Sequence, residues 1–306
     1  MFIRQMSYLV ALAREKHFAR AAERCNVTQS TLSSGLKALE RELDMRLVVR
    51  EPRFMGLTAE GERVVEWAGQ IIADYESLKQ DVEGLREGLK GALRLGVIPA
   101  AMPAVARLTA PFCAKHPHVT IDVRSMSSIE IQGALDKFEI EAGLTYLDNE
   151  PLVHVRKRTL YREKYFFVTS TDSPLAQSGA ITWREAASEN LCLLHEEMQN
   201  RRVLNNLTRS LGMTLKPTVT TNSFLAVCSH VSSGVWSSII PHTFSYIFSG
   251  CRELAMIDLV EPTHTQAIGL VVSDRDPMSP LAHALMRCAA RLDFEAAFAS
   301  AHTVPA

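Results

Sequence analysis

The 306-residue chain is long enough for two or more folding units, and 47% hydrophobic with 22% charged residues is typical of a soluble globular protein. No apolar run approaches the ~20 residues that cross a bilayer, and the N-terminal segment lacks a signal peptide's apolar core. We therefore expect a cytoplasmic protein with no membrane partner. The segment Met1–Glu60 carries ten Lys and Arg against seven Asp and Glu, and the remainder carries 23 against 27. This distribution favours nucleic-acid binding by Met1–Glu60 alone, the segment that we call the head.

The six cysteines are scattered, with no C-x-x-C pair. In a reducing compartment this is typical of small buried hydrophobic residues. A redox-sensing pair and a metal ligand are the alternatives, although no Cys/His cluster has ligand spacing. We expect no metal and no cofactor.

The head, Met1–Glu60, is predicted to contain a helix-turn-helix. Apolar residues from Met6 to Leu12 form one helical stripe, and the Ala-rich segment 18–24 favours a short second helix. Asn26 lies where a tight turn needs a positive φ, which Asn tolerates. Thr28 is suited to cap the next helix. The buried face of that third helix is predicted to consist of Leu32, Leu36, Leu39 and Leu43.

The opposite face of the third helix is polar and has no acidic residue before Glu40. A helix that enters a major groove needs short hydrogen-bonding side chains near its N-terminus and no negative charge facing phosphate. The alternative is a helical hairpin that never meets DNA. Residues 47–58 predict a β-wing whose arginines could reach phosphates or a minor groove. The predicted DNA-binding residues are Thr28, Gln29, Ser30, Ser33, Ser34 and Lys37 on the helix, and Arg50 and Arg53 on the wing.

A long helix is predicted from Thr58 to Gly91. Its apolar residues recur in alternating steps of four and three, the a/d pattern of a coiled coil. The pattern predicts self-association, and a dimer would present two heads to a two-fold symmetric DNA site. The alternative is one amphipathic helix packed on a globular core. The predicted dimerisation residues are Val64, Ala68, Ile71, Tyr75, Leu78, Val82, Leu85 and Leu89.

From Gly91 the pattern changes to alternating strands and helices, which predicts an α/β domain with a ligand crevice at the carboxyl ends of its strands. A helix is predicted near 102–115, and the last helix over 281–298. The Ser127–Glu130 spacing resembles a capping box, and Ser128 is expected to cap the helix that follows.

The segment Met1–Gly61 also carries a long, ordered motif. It runs through Ala21-Ala22, Val27-Thr28-Gln29-Ser30, Leu32-Ser33, Leu36, Leu39-Glu40, Leu43, Leu47, Arg50 and Leu57-Thr58-Ala59-Glu60-Gly61. The motif resembles the winged helix-turn-helix of LysR-type transcriptional regulators, and the rest of the chain is similar to that family's plan. The family usually has Gly where Asp44 stands, Phe where Val48 stands, and often a longer residue where Ser34 stands.

The resemblance implies an α+β multidomain fold. A winged helix-turn-helix would occupy 1–58, a coiled-coil linker helix 59–90, and a two-lobed α/β effector domain, similar to type 2 periplasmic binding proteins, 91–306. Crossings near Arg162 and Ala267 would give lobe I 91–162 and 267–306, and lobe II 163–266. Pro99 stands where many members carry Ser or Thr. The predicted effector-binding residues are Ala100, Ser128, Thr145, Tyr146, His195, Gln199, Asn200, Asn222 and Ser238.

The resemblance further implies a regulator and not an enzyme. We expect a homotetramer of coiled-coil dimers that binds double-stranded promoter DNA, with RNA polymerase as a further partner. A small anionic metabolite in the cleft, for example a carboxylate such as formate, would alter DNA binding or bending. The sequence has no G-x-S-x-G elbow, dinucleotide motif or phosphate loop. The alternatives are a cytoplasmic small-molecule-binding α/β protein without a DNA-binding role and, more distantly, a hydrolase using Ser128 or His195.

Overall fold

The computed structural model describes residues 3–50, 54–148, 152–248 and 251–299. The predicted α+β class, with a helical head, a long helix and an α/β body, is confirmed. Contacts between Cα atoms divide the chain into two compact units. The first unit contains residues 1–90 and 136–139, and the second contains 91–135 and 140–306.

The head consists of helices α1 to α3 and a two-stranded antiparallel wing. The apolar face of α3 packs into one core with α1, and Leu9, Leu32 and Leu39 have no exposed surface. Asn26 adopts the predicted positive φ, 53°, and the Thr28 side chain accepts from the Thr31 N–H. The bounds are α1 Ile3–Glu15, α2 Phe18–Arg24, α3 Gln29–Glu42, β1 Val48–Arg50 and β2 Phe54–Leu57.

Two side chains attach the wing to the neighbouring helices. Glu40 Oε1 accepts from the backbone N–H groups of Leu47, at 3.1 Å, and Val48, at 3.2 Å. Thr58 donates to the carbonyl of Arg46 and accepts from the N–H of Gly61, at 2.7 and 2.9 Å. The Glu40 carboxylate is therefore hydrogen-bonded to the backbone at the start of the wing.

The long helix α4 spans Ala59–Glu87. Ala68 is 1% exposed, and Val64 packs against the head core. The prediction that Leu89 lies on this helix is wrong, because Gly88 ends it with a φ of 79° that glycine adopts readily. Across the described ranges, none of the helices combines the length and the hydropathy that a membrane span requires.

The second unit contains two main sheets. The first has the strand order β4-β3-β5-β13-β6, and the second has β11-β7-β12-β8, beside a parallel pair, β10-β9. The chain passes from the first sheet to the second at residue 164 and returns over 261–265. The strands are β3 Gly91–Val97, β4 Val119–Ser125, β5 Ala142–Tyr146, β6 Val155–Glu163, β7 Tyr165–Ser170, β8 Ala180–Thr182, β9 Cys192–Leu194, β10 Val219–Thr221, β11 Ser238–Pro241, β12 Leu254–Val260 and β13 Gln266–Ser273.

Helices cover these sheets, and the second sheet packs around a core that includes Phe167 and Trp183. The helices are α5 Val105–Lys115, α6 Ser128–Asp136, α7 Trp183–Ser188, α8 Gln199–Ser210, α9 Phe224–Ser232, α10 Thr243–Phe248, α11 Pro280–Ala289 and α12 Phe294–Ala299, with 3₁₀ helices at Pro99–Ala104 and Pro174–Gln177.

Three helix predictions need correction. The predicted helix 102–115 begins as a 3₁₀ helix, which contains Pro103, and becomes α-helical only at Val105. The predicted last helix is two helices, because the Asp293 carboxylate accepts from the Ala296 N–H and starts α12 anew. Ser127, and not Ser128, caps α6: its hydroxyl accepts from the N–H of Glu130, whose carboxylate accepts from the Ser127 N–H.

Candidate DNA-binding surface and effector cleft

The polar edge of α3 faces away from the head core. Thr28 and Ser30 are exposed, and their hydroxyls are 2.9 Å apart. Gln29, Ser34 and Lys37 are also exposed, while Ser33 is half-buried. This edge therefore offers hydroxyl, amide and ammonium groups with no acidic residue in its first turn.

Two of these residues line a 720 Å³ concavity at the C-terminal end of α3. The concavity combines three basic side chains with two acidic ones. The predicted wing contacts cannot be placed, because Arg53 and the side chain of Arg50 lie outside what the structure describes. The lining residues are Ser34, Lys37, Glu40, Arg41, Asp44, Met45 and Arg46.

The outward face of α4 carries a stripe of exposed apolar residues, which we call the seam. Leu78 is 61% exposed and Leu85 is 83% exposed, although both are large hydrophobic side chains. Trp67, which sequence reasoning missed, is 58% exposed. Val64 packs against the head core and Ala68 is buried, so these two predicted dimerisation residues are not part of the exposed stripe. The seam residues are Ile71, Tyr75, Leu78, Val82 and Leu85.

The predicted effector residues of β5, α6 and α8 meet in the second unit. The Thr145 hydroxyl donates to Ser128 Oγ at 3.0 Å, and Ser128 in turn hydrogen-bonds the side-chain oxygen of Gln199. The Asn200 amide donates to the Tyr146 hydroxyl at 3.0 Å. All of these side chains are buried, so two short hydrogen-bond chains connect β5 to the first turn of α8.

The hydrogen-bond chain through Asn200 and Tyr146 ends on the carboxyl group of Glu163, which sequence reasoning missed. The Tyr146 hydroxyl donates to Glu163 Oε1 at 2.8 Å, and Glu163 has no exposed surface. Burial raises the pKa of Glu163 to about 8, an effect that the Tyr146 and Tyr165 hydroxyls partly offset. Glu163 stands in the polar stretch Arg162-Glu163-Lys164, so nothing in the local sequence distinguishes it from a solvated strand end.

A pocket of 520 Å³ adjoins this cluster. Ser128 and Tyr146 lie in its wall, and Arg202, one turn into α8, is the basic residue of the lining. Gln132 holds the neighbouring segment in place by accepting from the Val153 N–H and donating to its carbonyl. The size is suited to a small metabolite. The lining residues are Ser128, Ile129, Gln132, Tyr146, Leu152, Val153 and Arg202.

The remaining predicted effector residues are not among those that line this pocket or form the two hydrogen-bond chains. His195 and Asn222 are exposed. Ala100 is buried, and its carbonyl accepts from the Thr243 hydroxyl of α10 at 3.3 Å. Ser238 is also buried, and its hydroxyl has no hydrogen-bond partner within the described part of the chain.

Four of the six cysteines have a raised pKa, which disfavours a reactive thiol at those positions. Cys192 and Cys228 are buried, and burial raises the pKa of Cys228 to about 12. Burial likewise raises the pKa values of Cys25, Cys192 and Cys288. A thiol with a raised pKa forms little of the reactive thiolate at neutral pH.

Comparison with known families identifies both units. Residues 3–62 match the bacterial regulatory helix-turn-helix protein, lysR family, and residues 86–293 match the LysR substrate binding domain. The chain belongs to the LysR family of transcriptional regulators. LysR-family proteins pair a DNA-binding helix-turn-helix with an effector-binding domain, so the α3 edge and the polar cluster lie in the corresponding parts of this chain.

Individual LysR-family proteins resemble the chain over nearly its whole length. The HTH-type transcriptional regulator YnfL of Escherichia coli K12, itself uncharacterized, is 27% identical over 285 residues, covering 92% of this chain and 95% of YnfL. A full-length OxyR variant from Pseudomonas aeruginosa has the same fold, with a TM-score of 0.76, 23% identity and coverage of 95% and 94%. Full-length CbnR, solved with its target DNA, has a TM-score of 0.65, 18% identity and coverage of 95% and 99%.

Proposed function

We propose that this LysR-family regulator binds promoter DNA through the polar edge of α3. The observation that carries the proposal is the exposed, acid-free first turn of α3, set on a head whose leucines are buried on the other side. In this proposal Gln29 and Ser33 contact base edges, and Lys37 contacts phosphate. The wing arginines, Arg50 and Arg53, remain proposed backbone contacts.

Selection of genomic fragments by the full-length protein, followed by footprinting, tests this proposal. Gln29→Ala should weaken binding to the selected sequence by roughly 1–3 kcal/mol, the contribution of one base contact. Gln70→Ala is the matched control, since Gln70 is an exposed helical glutamine on α4, and it should bind as the parent does. Failure to enrich any sequence, or equal footprints for the parent and Gln29→Ala, would contradict the proposal.

We also propose that a small molecule binds in the 520 Å³ pocket beside Ser128 and Tyr146 and alters DNA binding or bending. The converging buried polar side chains support this, because such a cluster can orient a ligand. The predicted anionic effector, with formate as one example, would meet Arg202 in the pocket lining. The same proposal includes RNA polymerase as a partner, a cytoplasmic location and assembly as a tetramer.

The role proposed is regulatory and not catalytic. Ser128 hydrogen-bonds Thr145 and Gln199, with no histidine in that chain of contacts, whereas His195 is exposed. A serine nucleophile needs a general base within hydrogen-bond reach. The arrangement therefore favours ligand binding over hydrolysis.

A further inference from the structure

Hydrophobic side chains make up much of the lining of the 520 Å³ pocket. Ile129, in the first turn of α6, is 70% exposed, and Val153 is 50% exposed. Leu152 and Tyr146 also line the pocket. Gln132 hydrogen-bonds the backbone N–H and the carbonyl of Val153, at 3.2 and 3.0 Å, so this part of the lining is held in place without a ligand. A ligand with hydrocarbon surface would gain affinity by removing these side chains from water.

The same pocket contains a cationic group. Among the described residues that line it, Arg202 is the one with a charged side chain. Arg202 is half-buried, and its guanidinium donates to the carbonyl of Glu197. A guanidinium presents several N–H donors in a planar fork that matches the geometry of a carboxylate. The lining therefore combines a carboxylate-binding group with hydrophobic surface.

The size and the lining of the pocket are poorly matched to the smallest anions. Formate has three non-hydrogen atoms and would leave most of a 520 Å³ pocket to water. A ligand of this size reaches a Kd of only about a millimolar even when each atom contributes as much as it can. An anion with a hydrocarbon portion could instead bind Arg202 and cover Ile129 and Val153 at the same time.

We propose that the pocket selects an amphipathic carboxylate, whose carboxylate group binds Arg202 and whose hydrocarbon chain lies against Ile129, Leu152 and Val153. The inference rests on the proposed effector pocket and specifies the chemical class of its anionic ligand. The charge and the chain are recognised by different side chains, so each contribution can be removed separately. Formate is then the member of the class that lacks the chain.

A series of linear carboxylates tests the hydrophobic part of the ligand. Formate, acetate, butyrate and hexanoate share the charged group and differ in chain length. The full-length protein is titrated with each probe to high millimolar concentration by ligand-detected NMR. Each buried methylene should strengthen binding by up to about fourfold, so hexanoate should bind roughly tenfold or more tightly than acetate.

A neutral probe of the same length tests the charged part. Hexanamide has the chain of hexanoate but carries no charge. It should bind about tenfold more weakly than hexanoate, because it cannot form charge-assisted hydrogen bonds with Arg202.

A variant of α6 tests where the chain lies. Ile129→Gln should reduce the gain in affinity from acetate to hexanoate, while hexanoate should still bind more tightly than hexanamide. Leu225→Gln is the matched control. Leu225 is likewise the second residue of a helix and is 72% exposed, but it does not line the pocket, so this variant should match the wild type.

Variants of α8 test where the carboxylate lies. Arg202→Gln should abolish the preference for hexanoate over hexanamide, while hexanamide should still bind more tightly than acetamide. Arg202→Lys keeps the positive charge and should retain most of the preference. Arg209→Gln is the control, since Arg209 is an exposed arginine of the same helix outside the pocket lining.

Three results would overturn the inference: equal binding of acetate and hexanoate by the wild type, equal binding of hexanoate and hexanamide, or the same reduced gain in Leu225→Gln as in Ile129→Gln. Saturable binding of formate or acetate without a gain for hexanoate rejects this inference alone. No saturable binding of any carboxylate rejects the proposed effector pocket as well. Retention of selected DNA, measured on the same preparations, tests the proposed DNA-binding role independently.

Discussion

Single residues show how strongly burial changes side-chain chemistry in the second unit. Glu163 has no exposed surface, and its pKa of about 8 keeps it largely protonated at neutral pH. One oxygen of the neutral acid still accepts from Tyr146. The pKa values of Tyr146, Tyr161 and Tyr165 are raised well above their usual value, chiefly by burial and also by Glu163 itself. These groups therefore stay neutral near neutral pH.

The raised pKa of Glu163 predicts a pH-dependent cost to folding. The unfolded chain releases this proton near pH 4.5, whereas the folded protein keeps it until about pH 8. Between these values the unfolded state binds fewer protons, so the free energy of unfolding falls as the pH rises, by about 1.4 kcal/mol per pH unit from this group. Below the unfolded pKa the group makes no such contribution.

Glu163→Gln removes this dependence, since an amide does not titrate in the range. The stability of the variant relative to the parent should therefore rise progressively from about pH 5 to pH 8. Urea unfolding of both proteins at matched pH measures the difference, in which the other titrating groups cancel. A difference that does not change with pH would show that Glu163 is not buried as described.

At the scale of elements, two helix contacts depend on the absence of a side chain. A Cβ at Gly35 of α3 would lie 2.7 Å from the Tyr8 ring of α1. A Cβ at Gly61, in the first turn of α4, would overlap the carbonyl oxygen of Leu47. The second contact is the more restrictive, because a backbone carbonyl cannot rotate away as a side chain can. The α4 start and the wing therefore pack as one unit.

Gly61→Ala should destabilise the head by several kcal/mol, at the upper end of overpacking substitutions. Gly84→Ala, in the same helix but with nothing within 4 Å of the added Cβ, should stabilise by up to about 1 kcal/mol because alanine favours the helix. Thermal unfolding followed by circular dichroism compares the two. Equal melting temperatures would contradict the described packing of α4 on the wing.

At the scale of the whole molecule, we expect copies of the chain to associate through the seam on α4. Ile71, Tyr75, Leu78, Val82 and Leu85 expose a continuous apolar stripe on a helix that follows the DNA-binding head. Such a stripe is typical of a surface that another chain covers. A dimer formed there would present two copies of α3 to DNA.

Charges placed in the seam should dissociate the assembly. The double variant Leu78→Glu, Leu85→Glu should sediment as smaller species than the wild type and bind DNA more weakly, because buried unpaired carboxylates are costly. Arg86→Glu is the control, since it changes the net charge by the same amount at an exposed position beside the seam. Analytical ultracentrifugation measures the species. An unchanged oligomer in the double variant would place the interface elsewhere.

Locally encoded features could be predicted from the sequence because their causes lie within a few residues. Asn26 takes its positive φ, Thr28 caps α3, and the leucines of α3 form its buried face. The exposed apolar stripe on α4 likewise follows from residue spacing within a single helix. Asp44 also adopts a positive φ, 50°, where the family usually has glycine, so the turn is preserved despite the departure.

The candidate effector site was only partly predictable. Five of the predicted residues end a strand or open a helix, and the structure brings them together: Thr145 and Tyr146 of β5, Ser128 of α6, and Gln199 and Asn200 of α8. His195 and Asn222 occupy similar sequence positions but are exposed. Exposure depends on which neighbours pack over a residue, and a short polar motif does not contain that information.

Taken by itself, the sequence determined the helices of the head, the Thr28 cap of α3, the polar edge of α3 and the apolar periodicity of α4, since each depends on backbone preference or short-range spacing. Only the tertiary structure decided that Val64 packs against the head core, that Ala68 is buried and that α4 ends before Leu89. The local sequence of Glu163 is that of a solvated residue, and only the tertiary structure showed that it lies in the interior, hydrogen-bonded to Tyr146. Burial results from contacts between residues that are distant in sequence, and this burial raises the pKa of the Glu163 carboxyl.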